Sequence, residues 1–119
     1  VVMSANKSGA MVWSEVEPLA DVVFYRYGSV SDDAAAQLIA GKVEPSALLC
    51  QQQPASMKAV EQEMEDVSRD LECYVDANGN TYDFAYGLNW SGVINDERVA
   101  TYSAAPLTHV ENMQFHYAQ

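Results

Sequence analysis

The sequence is poor in basic residues, with six Lys and Arg against seventeen Asp and Glu, and its formal net charge is −11. A field of this sign repels phosphate backbones, so we expect no nucleic-acid partner. The same field attracts cationic proteins and speeds their capture. The charge therefore favours a basic protein as the partner, although strong net charge also serves solubility alone.

Long apolar runs are also missing. No stretch approaches the ~18 consecutive apolar residues that a membrane-spanning helix needs, so we expect no membrane span. The chain begins at Val1 rather than Met, so we expect a mature or trimmed chain, and the lack of a visible signal peptide is what a cleaved one would leave behind. With 119 residues, 49% of them hydrophobic, we expect one folded domain over 1–119.

Cysteine is scarce as well, with only Cys50 and Cys73 present. A minimal even number in a small acidic chain favours one disulfide and an oxidising compartment. Such a bond would close a loop of about 24 residues and stabilise the fold by roughly 3 kcal/mol. Two buried free thiols are the alternative.

Catalytic motifs are absent. There is no phosphate-binding glycine loop and no GxSxG nucleophile turn. His109 and His116 are the only histidines, and their spacing of seven places them on opposite faces of one strand. We therefore predict no catalytic, cofactor-binding or metal-binding residues. A small enzyme that uses paired carboxylates remains an alternative, because many acids are present.

The segment 76–80 resembles the start of a calcium loop. Asp76, Asn78 and Asn80 match the first three ligand positions of an EF-hand loop, but Thr81 replaces its glycine and Gly87 replaces its final glutamate. The Asn78-Gly79 pair between two strand-like runs instead predicts a hairpin with a type I′ turn.

The first half of the chain predicts two strands and a helix. Residues 10–16 and 21–27 are rich in β-branched and aromatic side chains, which favours strands. Ser31 provides an N-cap for a helix that continues over 34–40 and ends at Gly41. Residues 45–53 are ambiguous, and we predict a short helical turn there that carries Cys50.

A longer amphipathic helix is predicted from Ser56 onward. Its apolar residues recur at spacings of three and four, which is typical of a helix face packed in the core; these residues are Met57, Val60, Met64, Val67 and Leu71. The other faces carry acids, namely Glu61, Glu63, Glu65, Asp66 and Asp70. This acidic face is either solvated or steers a basic partner toward the domain.

The C-terminal part predicts a meander of strands at 74–76, 81–86, 90–94, 98–103 and 108–117. Tyr82, Phe84 and Tyr86 alternate onto one face of their strand, as core or as a cross-strand ladder. The predicted fold class is α+β. Its antiparallel sheet of two N-terminal strands and the meander packs on one main amphipathic helix and one shorter helix.

A glycine-bracketed loop at 87–92 carries the second tryptophan. Trp and Tyr beside short polar residues are common at binding hot spots, so this loop is the first place where we expect contacts with a partner. The alternative is that Trp90 folds back and caps the core.

Small size, acidity, the cysteine pair, the acidic helix and the loop at 87–92 together resemble immunity proteins that neutralise lysozyme-like effectors of the type VI secretion system. The resemblance implies a periplasmic inhibitor without cofactor that blocks the groove of a basic cell-wall hydrolase. It implies that Trp90, Asn89, Ser91 and Tyr86 plug the groove while Glu61, Glu65, Asp66 and Asp70 steer approach. A homodimer is compatible with that family. The main alternative is a non-catalytic cell-envelope module, such as a minor pilin-like subunit.

Overall fold

The computed structural model describes residues 1–6, 9–64 and 67–103. Their elements in chain order are β1 (Val2–Asn6), a 3-10 helix (Glu17–Leu19), β2 (Val22–Arg26), α1 (Asp32–Ile39), α2 (Met57–Gln62), β3 (Leu88–Asn89), β4 (Gly92–Val93) and α3 (Glu97–Tyr102). Helices and strands are both present, as an α+β class requires. The predicted single antiparallel sheet is wrong: β1 pairs with β2, and β3 pairs separately with β4.

The first sheet is parallel, with Val2 opposite Val22 and Asn6 opposite Arg26. The strand predicted at 21–27 is confirmed by β2, but the strand predicted at 10–16 is wrong. The carbonyl of Trp13 accepts hydrogen bonds from the backbone nitrogens of Val16 (3.0 Å) and Glu17 (2.9 Å), which turns the chain into the 3-10 helix. The apolar residues of 10–16 therefore serve a turn around a buried indole.

Helix α1 begins and ends where its capping residues predict. The hydroxyl of Ser31 accepts a hydrogen bond from the backbone nitrogen of Ala34 at 3.2 Å. Gly41 follows the helix at a φ of +68°, a conformation that glycine adopts without strain. An ion pair of 2.9 Å between Arg26 and Asp32 joins the end of β2 to the first turn of α1.

Residues 47–55 form an irregular strap that bends at Cys50, Gln51 and Ala55 and contains no helical turn, so the helical turn predicted at 45–53 is wrong. The strap is hydrogen-bonded to chain segments on both of its sides. Its bonds run from Leu49 N to Tyr86 O (2.8 Å), Gln53 N to Tyr82 O (3.0 Å), Tyr74 N to Gln53 O (2.9 Å) and Ala55 N to Glu72 O (2.8 Å). Partners distant in sequence therefore satisfy the backbone of the strap, which local pattern does not reveal.

Helix α2 is much shorter than its apolar stripe predicted. It begins at the predicted cap, where the Ser56 hydroxyl accepts from Ala59 N at 3.1 Å, but Glu63 is already extended with ψ of 136°. The apolar residues predicted to be core are exposed, namely Met57, Val60, Met64 and Val67, and only Leu71 is buried. Because the helix ends at Gln62, the later members of the stripe do not continue its face, and Ala59 is its buried residue.

The turn at 76–80 is confirmed, but its type is not I′. The backbone nitrogen of Gly79 donates to Asp76 O at 3.0 Å. Within residues 76–80 only Gly79 has a positive φ, of +84°. Asp76 Oδ1 accepts from the backbone nitrogens of Asn78 and Asn80, both at 2.9 Å. This arrangement matches a type I turn with Asp in the first position and Gly in the fourth.

Within the described residues the strands predicted at 74–76, 81–86 and 98–103 are wrong, and of the strand predicted at 90–94 only Gly92–Val93 is a strand. Residues 81–86 contain a single bridge between Val75 and Thr81, and Ala85 leaves the extended region with a φ of +69°. Residues 98–102 belong to α3 and Ser103 is its C-cap; the N-cap Asp96 accepts from Arg98 N at 2.9 Å. The strand predicted at 108–117, with His109 and His116, lies outside the described residues.

Candidate protein-binding site

The loop carrying Trp90 is the tip of the hairpin that β3 and β4 form. Leu88 lies opposite Val93 and Asn89 opposite Gly92. Asn89 Oδ1 accepts a hydrogen bond from the backbone nitrogen of Ser91 at 2.8 Å, and Gly92 takes a φ of +116°. A polar side chain at the first position and glycine at the fourth therefore hold Trp90 in a defined turn.

The hairpin presents apolar side chains to solvent. Trp90 is 64% exposed, Leu88 49% and Val93 54%. Leu88 and Val93 are directly opposite each other, so their side chains project from the same face of the ladder. The alternative in which Trp90 caps the core is wrong. We call Leu88, Trp90 and Val93, together with the adjacent Glu44, the hairpin surface.

Glu44 joins this surface through a hydrogen bond that its Oε1 accepts from the backbone nitrogen of Trp90 at 3.3 Å. The nearby guanidinium of Arg98 has other partners: it donates to Ser46 O at 2.8 Å and pairs with Asp96 at 2.8 Å. The carboxylate of Glu44 is exposed. The hairpin surface therefore combines an exposed indole with negative charge.

The residues predicted to contact a partner have different roles in the structure. Trp90 and Ser91 are exposed at the tip, whereas the side chain of Asn89 closes the turn. Tyr86 is half-buried and stacks on Tyr82, with ring centroids 5.2 Å apart, so it supports the domain from within. Glu44, Leu88 and Val93 were not predicted. The cross-strand pairing that brings the last two together follows from the tight turn, which the glycine at its fourth position signals in the sequence.

Of the acidic residues predicted to steer a partner, the two that the structure describes, Glu61 and Asp70, do not share one helix face. Glu61 lies exposed on α2. Asp70 lies beyond the helix, and its Oδ2 accepts a hydrogen bond from the backbone nitrogen of Met64 at 2.9 Å. Glu65 and Asp66 lie outside the described residues. Steering therefore remains a prediction that rests on net charge.

Four aromatic side chains form a cluster, one of which, Tyr86, lies two residues before β3. Tyr82 contacts three rings, with centroid distances of 5.2 Å to Tyr74, 5.2 Å to Tyr86 and 6.4 Å to Trp13. The carboxylate of Glu17 accepts hydrogen bonds from the hydroxyls of Tyr74 (2.7 Å) and Tyr82 (3.4 Å). The three rings predicted to share one strand face do not form a ladder: Tyr82 donates to Glu17, Tyr86 stacks on Tyr82, and the Phe84 ring lies under the guanidinium of Arg69.

Gln53 is the buried polar centre of the domain, at 1% exposure. Its Oε1 accepts from the indole nitrogen of Trp13 and from the backbone nitrogen of Met11, each at 2.9 Å. Both partners are donors, so the amide oxygen must point toward them. Gln53 therefore connects the N-terminal segment to the strap.

The predicted disulfide between Cys50 and Cys73 is not present, and both residues are free thiols. Their surroundings differ: the thiol of Cys73 accepts a hydrogen bond from Gln52 Nε2 at 3.3 Å, whereas Cys50 is exposed and neighbours Tyr27. Burial raises the pKa of Cys73 to about 11, with the charge of Asp83 adding to the effect. Cys73 is therefore a poor nucleophile near neutral pH.

We expect the aromatic cluster to make the protein sensitive to alkali. Burial, followed by the hydrogen bond to Glu17, raises the pKa of Tyr74 to about 12 from an ordinary 10.0, and burial also raises the pKa of Tyr82 and Tyr86. Between pH ~10 and pH ~12 the tyrosines of the unfolded chain release phenolic protons that the folded chain retains. The free energy of unfolding should therefore be unaffected by these groups below pH ~10 and fall above it.

Urea denaturation at pH ~9 and pH ~11 measures this loss. In the variant Glu17→Gln an oxygen acceptor remains for Tyr74 but the charge is removed, so the decline should be shallower. An unfolding midpoint that is equal at the two pH values would contradict the prediction.

Within the described part of the chain, no three His, Cys, Asp or Glu side chains come close enough to hold a metal ion. None of the helices in residues 1–6, 9–64 and 67–103 has the length and apolar composition needed to cross a membrane. No protein-family model, no curated protein and no solved structure compared with this chain matches it.

Proposed function

We propose that this protein is a non-catalytic binding module that captures a basic protein through the hairpin surface. The exposed Trp90 at the tip of a hydrogen-bonded turn carries the proposal. Large aromatic side chains on preorganised turns lose little entropy on binding and are frequent hot spots. Covering such an indole removes on the order of 100 Å² of apolar surface, or about 2.5 kcal/mol.

The charge of the chain supports a basic partner. With a net charge of −11, the protein attracts cationic surfaces and repels a second copy of itself. We propose further that the partner is a cell-wall-degrading enzyme and that binding inhibits it in the periplasm, as the resemblance to immunity proteins implies. A rigid hairpin with an aromatic tip suits the groove of such an enzyme, because a narrow projecting element reaches into a cleft.

The direct test uses purified basic cell-wall hydrolases, beginning with a chicken-type lysozyme and a basic peptidoglycan amidase. Binding is measured by calorimetry at low and moderate salt, and inhibition by the clearing of cell-wall suspensions. We expect an association rate that falls as salt rises. Failure of every basic hydrolase to bind would overturn the inhibitor proposal.

Substitution of Trp90 is expected to weaken capture. Trp90→Ala should raise the Kd for the partner about 30-fold, equivalent to ~2 kcal/mol, since the anchor is lost. The unfolding midpoint should not change, because the side chain is exposed. Leu19→Ala is the control: it truncates an equally exposed apolar side chain on the 3-10 helix and should leave the Kd unchanged. Equal Kd values for the two variants would exclude the hairpin surface.

One observation favours the alternative of a cell-envelope assembly module. In the described residues β1 and β2 pair only with each other, and Val2 and Val22 on them are exposed. Unpaired strand edges accept further strands. If the protein is such a module, light scattering should show larger assemblies as the protein concentration rises. Trp90→Ala should leave the size of these assemblies unchanged.

A further inference from the structure

We infer that Trp90 and Glu44 together receive an arginine side chain of the partner. This inference rests on the proposed function, and it names the chemical group that the hairpin surface recognises. An aromatic face attracts a cation through the negative charge of its π system. A carboxylate beside that face supplies the opposite charge and the hydrogen-bond acceptors.

The geometry that carries the inference is the bond between the two residues. Glu44 Oε1 accepts from the backbone nitrogen of Trp90 at 3.3 Å, so the carboxylate lies at the base of the indole residue and both side chains are exposed. A planar guanidinium stacked on the indole can donate to that carboxylate at the same time. The compact ammonium of lysine cannot stack in this way, which favours arginine.

The surrounding groups leave the position free for a cation from a partner. Two cationic residues are near Glu44: Lys42, two positions before it, forms no ion pair with it, and the guanidinium of Arg98 is engaged by Asp96 and by the Ser46 carbonyl. Arg98 therefore pairs with Asp96, the N-cap residue of its own helix α3. Leu88 and Val93, about half exposed, offer an apolar surface for the aliphatic stem of arginine. Overall acidity excludes an anionic occupant.

The two tryptophans of the chain provide an internal comparison. Trp90 is 64% exposed, whereas Trp13 is 1% exposed and its indole nitrogen is bonded to Gln53. Their indole N–H groups give two separate signals in a proton–nitrogen correlation spectrum of the full chain. A ligand on the hairpin surface should move the Trp90 signal and leave the Trp13 signal in place.

The experiment titrates the protein with the blocked tripeptide Gly-Arg-Gly and with matched peptides that carry lysine or citrulline. We expect the arginine peptide to shift the Trp90 signal with a Kd on the order of 1 mM, as befits one exposed stacked cation. The lysine peptide should bind several-fold more weakly. Citrulline keeps the shape but not the charge, and it should produce little shift.

The variant Glu44→Gln retains an acceptor for the Trp90 nitrogen and removes the charge. We expect it to weaken arginine binding about fivefold and to reduce the difference between arginine and citrulline to what the cation–π contact with Trp90 supplies. Glu61→Gln on α2 removes one equally exposed charge and serves as the control. The inference is overturned if citrulline binds as well as arginine, if Glu44→Gln binds normally, or if Trp13 shifts as much as Trp90.

These outcomes are separable from those of the proposed function. Capture of a basic hydrolase that depends on Trp90 but not on Glu44, with no arginine shift, would leave the binding module intact and exclude the arginine receptor. An arginine shift without capture of any basic hydrolase would retain the arginine receptor and overturn the inhibitor proposal.

Discussion

Gln53→Ala is expected to lower the free energy of unfolding by about 3 kcal/mol. The side chain is 1% exposed, and its oxygen accepts from the Trp13 indole and from Met11 N, both at 2.9 Å. Truncation leaves the buried Trp13 indole donor and the part-buried Met11 nitrogen without an acceptor, at about 1–3 kcal/mol for a buried donor and less for a part-buried one. A smaller opposing gain follows, since Gln53 Nε2 is buried and has no hydrogen-bond partner among the described residues.

The neighbouring glutamine supplies the control for this experiment. Gln52 is half-buried and donates only to the thiol of Cys73 at 3.3 Å, so Gln52→Ala should change stability by less than about 1 kcal/mol. Gln53→Met keeps most of the volume but not the acceptor, and it should resemble Gln53→Ala if hydrogen bonding dominates. Urea titration followed by circular dichroism measures all three. Equal unfolding midpoints for Gln52→Ala and Gln53→Ala would contradict the assigned role.

Gly87→Ala is the second change with a large expected effect, a loss of about 2–3 kcal/mol. A Cβ at this position would lie 2.3 Å from the backbone oxygen of Ala47 and 3.1 Å from Leu48 Cδ2. A backbone atom cannot rotate away as a side chain can, so the strap must move. The bonds at risk are those of Leu49, whose nitrogen donates to Tyr86 O at 2.8 Å and whose carbonyl accepts from Ala85 N at 2.9 Å.

Gly9→Ala separates this clash from the general effect of replacing glycine. An added Cβ there meets no atom within 4 Å, so stability should change by no more than about 0.5 kcal/mol. We also expect Gly87→Ala to displace the segment around Ala47 and thereby Glu44, which would shift the indole signal of Trp90. A Gly87→Ala protein with wild-type stability would show that the strap is not held against this glycine.

Local chemistry determines the turns and the caps of this protein. The turns at 76–79 and 89–92 share one pattern, an Asp or Asn whose side chain accepts from the nitrogen two residues later and a Gly with positive φ in the fourth position. Both patterns are legible in the sequence. The Asp96 cap of α3 is equally local, and it begins a helix where a strand was predicted at 98–103.

Burial did not follow the apolar pattern. The spacing of Met57, Val60 and Met64 predicted one packed helix face, but α2 ends at Gln62 and these residues are exposed. The deepest side chains are instead Trp13 and Gln53, one of which was predicted on a strand and the other in a helical turn. Their burial depends on a hydrogen bond between residues forty positions apart, which no short window contains.

The amino-acid sequence by itself determined the charge, the position of β2, both ends of α1, the start of α2 and the turn that carries Trp90, because each depends on neighbours within a few residues. Only the tertiary structure decided which of three consecutive glutamines is buried, that the two cysteines remain free thiols, and that Glu44 meets Trp90. These outcomes require contacts between distant segments. The selection among distant partners depends on which buried donors find acceptors, and that is a property of the whole fold.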